Sequence, residues 1–197
     1  MALIACLIFI HNFKFLLGAR TGFLLTKSEA VLQSILFLPA FYAHIATGSI
    51  VLLIGLFQFR SDRKSIWHRR LGTVYIATIL LATAPAGFIM GWFANGGMIP
   101  RVSFMVLAVL WWYFTFVAWR KILVRDIVAH QAYMYRSYAL TLSAVTLRLY
   151  IFGAALFFDL RGEEVYVWVS VLSWVPNLVV AEWVKRGVDM KRLALTK

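Results

Sequence analysis

"SIWHRRLGTVYIATILLATAPAGFIM", residues 65–90, opens with a histidine and two arginines and then stays apolar for about the thickness of a membrane. At ~1.5 Å of rise per helical residue, about twenty such residues cross a hydrocarbon core of ~30 Å. Each backbone amide in hydrocarbon must find its partner within its own segment. The run therefore reads as a spanning helix, with His68, Arg69 and Arg70 at its water-facing end.

The same reading extends outward from this stretch in both directions. Of the 197 residues, 62% are hydrophobic and 16% aromatic, with a mean hydropathy of +0.82, well outside the range of soluble domains. Six segments meet the length and polarity rule: 1–17, 36–59, 67–93, 102–120, 131–158 and 164–184. The expected fold is all-α, a polytopic transmembrane helical bundle in a single integral membrane domain over 1–197. The first span is short, because His11, Asn12 and Lys14 interrupt it and must lie at its end. It lacks a basic leading region and a small-residue cleavage site, which argues against a removed signal peptide; a start upstream of Met1 would equally explain its length. Between the first two spans, about Gly18 to Ile35 reads as a short amphipathic helix on the outer surface.

The formal net charge is +12, yet the lysines and arginines sit between apolar runs and not along one polar face, which argues against a nucleic-acid partner. The lone cysteine, Cys6, leaves no disulfide framework, Cys-based zinc site or Cys-ligated iron–sulfur cluster. Fourteen of the twenty basic residues fall on one side of the bundle, around Arg60–Arg70, Arg120–Arg136 and Lys185–Lys197. Five fall on the other, and Arg148 lies within a span. The positive-inside rule makes the rich side cytoplasmic and, with six spans, places both termini there, in a cell inner (plasma) membrane. Trp67, Trp92, Trp119, Trp168 and Trp183 mark span ends, where indole rings favour the headgroup layer.

A charge at mid-bilayer costs about 2.5–3.5 kcal/mol on insertion scales, so Arg148 should face protein, water or an anion. Ser137, Thr141, Ala144 and Arg148 recur at helical spacing, and the stripe runs back through Met134 to His130. The second span carries His44, Thr47, Gly48, Val51, Gly55 and Gln58 on one face. The third carries His68, Gly72, Tyr75, Ile79, Ala82 and Ala86, and the sixth Ser170, Ser173 and Asn177. Pro85 followed by Gly87 is placed to break the third span. Depth separates the histidines into an inner pair, His68 with His130, and an outer pairing of His44 with Arg148.

These residues also carry a family resemblance. "FYAHIATGSIVLLIGLFQF" (41–59), "HRRLGTVY" (68–75), "NGG" (95–97) and "HQAYMYRSYALTLSAVTLRLY" (130–150) resemble, in order and spacing, the domain of unknown function 2306, a family of small, largely bacterial multi-pass membrane proteins. Tyr133 stands where the family pattern prefers Trp. The resemblance implies that His44, His68, Arg69, Gly72, His130, Met134, Arg136 and Arg148 fall at recurring family positions, and it implies no reaction.

Three chemistries are open to these residues. His68 and His130 as axial ligands, with Arg69 and Arg136 toward propionates, would hold one b-type haem; His68 to Gly72 is also similar to short segments of bacterial b-type cytochromes. Asp126 and His130, four residues apart, with His68 as third ligand, would make an open zinc shell. His44 and Arg148 would bind an anionic or lipidic ligand or a quinone carbonyl. The expected function is a histidine-based cofactor or quinone site in membrane redox chemistry. Its competitors are transport or binding of a small anionic or lipidic ligand through Arg148, and an accessory or assembly role among other membrane proteins. Set against all three, His68, Arg69 and Arg70 suffice as an interfacial anchor, and His44 as a helix-to-helix hydrogen bond. Paired intramembrane carboxylates, a phosphate-binding glycine loop and a Ser/His/Asp set at one depth are missing from the sequence.

Overall fold

The structure, a computed structural model, describes residues 22–58, 65–159 and 163–195. The expected span 1–17, with Cys6 and His11, lies outside the described residues, as do Arg60, Arg63, Lys64 and Arg161. Every regular element described is helical. A 3-10 turn at Gly22–Thr26 leads to α1 (Glu29–Leu32) and α2 (Phe37–Gln58). Then come α3 (Ile66–Thr78), a π-helical turn (Ile79–Thr83), α4 (Ala84–Trp92) and α5 (Met98–Leu123). The chain closes with α6 (Ile127–Thr141), α7 (Ser143–Phe158), α8 (Glu163–Leu172) and α9 (Val175–Leu195).

Among the described residues five stretches are long and apolar enough to cross a membrane: Phe37–Gln58, Ile66–Trp92, Met98–Leu123, Ile127–Phe158 and Val165–Arg186. They match the last five expected spans. The Met98–Leu123 helix overruns its apolar run at both ends, because the backbone ladder continues wherever water or a cap can take the terminal groups. Ser65 Oγ accepts from the Trp67 amide at 3.2 Å and Asp126 Oδ1 from the Ala129 amide at 3.0 Å, fixing two helix starts. Gly96 and Gly97, at φ 81° and 85°, turn the chain into α5 through a conformation that glycine alone adopts freely.

Helix α5 packs against α4, α6 and α8, while α2 packs against α3, the π turn and α4. Lipid tails are as apolar as leucine, so close contact and interhelical hydrogen bonds hold such a bundle together. Gly55 provides the contact: a Cβ there would stand 2.2 Å from Cε2 of the Tyr138 ring. Hydroxyls provide the bonds. Tyr75 meets Thr141 at 2.8 Å and Ser137 at 3.3 Å, and Ser137 meets Thr115 at 2.7 Å, all buried.

One sequence expectation is corrected here, and two spans carry interruptions within their apolar runs. Pro85 does not break the third span: the helix passes through the π turn, with the Ala84 amide bonded to the Ile79 carbonyl, and continues. Proline has no N–H to offer the preceding turn, and Trp112 Nε1 donates to the Leu80 carbonyl at 3.2 Å instead. The fifth span bends at Leu142, where Thr141, Ser143 and Thr146 hydroxyls bond carbonyls of their own turns and compete with the ladder. Asn177 Nδ2 crosses from α9 to the Ala139 carbonyl beside this bend at 3.2 Å. The sixth span turns at Ser173 and Trp174, between α8 and α9. The described part of the segment before α2 holds the short helix α1, with Leu24 and Lys27 buried and Leu25, Ile35 and Leu36 exposed.

Candidate functional site

A recess of about 370 Å³ opens among all five crossings, and both His44 and Arg148 line it. His44 comes from α2 and Arg148 from α7. Counted along their helices, they lie about 10 Å and about 15 Å from the ends at Phe37 and Phe158, on the side away from the basic termini. The sequence-expected pairing of these two is thus one the fold brings together. Between them the wall is mainly apolar and aromatic, including Phe41, Phe104, Trp111 and Tyr166, with the Ser49, Thr141, Ser143 and Ser173 hydroxyls as its polar points. Those hydroxyls are engaged with their own backbones or with Tyr75. The His44 imidazole, the Arg148 guanidinium and the Tyr166 phenol are the other polar groups on the lining.

His44 is held in one orientation. Its Nδ1 lies 2.9 Å from the Thr83 carbonyl, at the last residue of the π turn. A carbonyl only accepts, so Nδ1 carries the proton, and in the neutral ring Nε2 keeps its lone pair. Behind the ring stands Gly87, where a Cβ would meet Cε1 and Nδ1 at 3.1 Å. The ring of Trp111 meets the imidazole edge-on, with centroids 6.5 Å apart. Thr83 itself is buried and tied to α2, its Oγ1 donating to Thr47 Oγ1 at 2.9 Å. Arg148 follows the interruption at Leu142 and lines the recess at an exposed position, its NH1 donating to the Ala144 carbonyl at 2.8 Å.

Phe23, from the 3-10 turn, forms one wall and stacks on Phe41 at 5.9 Å. Lys27 holds that turn in place. Its ammonium donates to the Phe93 carbonyl and, at 2.7 Å, to Asn95 Oδ1, and lies 4.6 Å from the centre of the Phe23 ring. Asn95 Nδ2 returns a bond to Thr26 Oγ1 at 2.9 Å. Burial, helped by the charge of Arg101, pulls the Lys27 amine down to about 8.

The inner residues are arranged differently. His130 Nδ1 lies 2.8 Å from the Ala118 carbonyl on α5, and the His68 backbone carbonyl accepts from Gln58 on α2 at 3.0 Å. Arg136 forms a two-pronged ion pair with Glu182 and lies over the Tyr133 ring. Asp126 caps α6 and pairs with Lys121 at 3.4 Å; the Ala129 amide, followed by Lys121, holds its carboxyl below the usual carboxylate range. Among the described residues no three His, Cys, Asp or Glu side chains are grouped to hold a metal ion, so the expected shell of His68, Asp126 and His130 is not assembled. Arg69 is exposed at the start of α3.

Sequence reasoning missed Thr83, Trp111, Tyr166 and Lys27. Pro85, two residues beyond Thr83, was the signal for a disturbed ladder with a carbonyl to offer. Trp111 stood out as an indole placed mid-span, unlike the tryptophans at span ends, which are exposed here.

The family model described as Predicted membrane protein (DUF2306) matches residues 41–185. No curated protein and no solved structure matches the chain.

Proposed function

The chain belongs to this family of membrane proteins, and we propose that it binds a lipid-soluble, oxygen-headed ligand of the quinone class in the recess between His44 and Arg148. The observation that carries the reading is the shared wall: one guanidinium and one oriented imidazole converge on a cavity whose other surfaces are apolar and aromatic. Ligand pockets of about 300–1,000 Å³ typically combine such an apolar lining with a few placed polar groups. A guanidinium carries five N–H donors, so besides its bond to the Ala144 carbonyl Arg148 can donate to a ring carbonyl carried into the bilayer by an apolar tail. Helix α2 contributes the imidazole, α7 the guanidinium, and α4 and α5 the slot for a ring. On the positive-inside reading, the recess lies in the half of the membrane facing away from the cytoplasm.

A haem held by His68 and His130 receives less support. Arg136, the expected propionate partner, is engaged by Glu182, and the His130 ring is bonded to the Ala118 carbonyl. Transport or binding of another anion through Arg148, and an accessory role, use the same or outer surfaces and are separated by experiment.

The test is a titration of purified protein in nanodiscs with a naphthoquinone bearing a short isoprenoid tail, read by tryptophan quenching. Saturable quenching is expected, with its main component lost in Trp111→Phe. Arg148→Gln should weaken binding about tenfold or more, the scale of a lost hydrogen bond from a charged donor. Unsaturable quenching, or full affinity in Arg148→Gln, overturns the reading. A Soret band in the oxidised and dithionite-reduced spectra, abolished by His68→Ala and His130→Ala, would move the function to haem.

A further inference from the structure

We infer that the recess is built for the hydrogen-bond-donating, reduced form of its ligand, a hydroquinone, in preference to the oxidised quinone. This rests on the quinone-class reading above and adds the redox form that the site selects.

The argument begins with the π turn. Its last residue, Thr83, presents a carbonyl to α2, and that carbonyl takes the Nδ1 proton of His44 at 2.9 Å. Only one proton sits on a neutral imidazole, so fixing it on Nδ1 makes Nε2 an acceptor. Two features keep the ring from adopting another arrangement. Gly87 seats its Cε1 and Nδ1 edge so closely that even a Cβ would stand at 3.1 Å, and Trp111 packs against the ring from α5. The imidazole is a wall residue of the recess, so its remaining polar atom is a lone pair. Arg148, which lines the same recess, has donors only.

A ligand that contacts both groups donates at one oxygen and accepts at another. A hydroquinone does this: one hydroxyl donates to His44 Nε2, and the second oxygen accepts from Arg148. A quinone carries two acceptor oxygens. Arg148 can serve one of them, but the other meets the Nε2 lone pair, and neither group can supply the missing proton. A site that demands a hydrogen bond rejects the analogue lacking it more strongly than an apolar pocket rejects a change of shape.

The experiment uses the full chain in nanodiscs under anaerobic conditions. Binding of the tailed naphthohydroquinone and its quinone is measured by calorimetry in wild type, His44→Phe and Arg148→Gln. Wild type should bind the hydroquinone about tenfold or more tightly. Tighter binding of the reduced form raises the bound couple's potential, by about 30 mV per tenfold for two electrons. His44→Phe keeps a ring in the slot and should erase the preference, while Arg148→Gln weakens both forms. Equal affinities in wild type, or a preference that survives in His44→Phe, would overturn the inference and leave the quinone-class site standing. Binding of neither form overturns both. A ligand-independent check is the nitrogen NMR spectrum of histidine-labelled protein, with His44→Phe supplying the assignment. The Nδ1–H tautomer is expected for His44, and the Nε2–H tautomer would sink the inference whatever the ligand data show.

Discussion

Lys27 shows how a single side chain can tie an external turn to a membrane site. Its ammonium is buried among Phe23, Phe37, the Phe93 carbonyl and Asn95, and Phe23 is a wall of the recess. Burial and Arg101 bring its amine to about 8 from an ordinary 10.5, so the folded protein releases this proton before the unfolded chain does. Between those values the unfolded state binds more protons, and stability rises with pH. The expected outcome is that the unfolding temperature of detergent-solubilised wild type, measured relative to Lys27→Met, increases from pH 7.5 to 9.5. A flat or falling difference would show that the lysine does not bear this burial cost. None of this was legible in the sequence, where Lys27 stood as one of five basic residues on the sparse side. Its burial depends on Asn95, sixty-eight residues away, folding back over it. His44 and Arg148 were legible, because a charge or an imidazole within an apolar run has few physical options.

At the scale of elements, the sequence located the crossings well and their interruptions poorly, for one physical reason. Apolar length reports how far a segment can travel through hydrocarbon, whereas bends depend on which carbonyls receive hydrogen bonds. The Leu142 bend is written in "LTLSAVT", but Thr141, Ser143 and Thr146 bond locally in many straight helices as well. Asn177, reaching across from α9, supports this one. The end of α5 is a different case. Arg125 sits at φ 59°, with its amide bonded to Ile122 O and the Asp126 amide to Lys121 O, the closure that usually ends on glycine. A side chain in the left-handed region costs about 1–2 kcal/mol, and glycine gives back roughly half of that in lost chain entropy. Arg125→Gly should therefore stabilise the protein by about 0.5–1 kcal/mol in reversible unfolding. A loss of stability would mean that the guanidinium makes a contact worth more than the strain.

For the molecule as a whole, the recess and most of the described basic residues occupy opposite halves. Arg69, Arg70, Arg120, Lys121, Arg125, Lys185 and Arg186 gather at one end, where the described crossings meet water, while Lys27 and Arg101 stand at the other. Insertion retains short basic loops on the cytoplasmic side, since moving each across the membrane opposes the potential at about 2.3 kcal/mol per charge per 100 mV. The basic end should accordingly face the cytoplasm, with the recess in the half that faces away. Ser28 and Arg125 are exposed at the two ends, outside every crossing, and so suit a labelling test. With Cys6 replaced by serine, Ser28→Cys should react with a membrane-impermeant maleimide in intact cells, and Arg125→Cys only after the membrane is opened. The reverse pattern would invert the bundle and put the His44 and Arg148 recess on the cytoplasmic half.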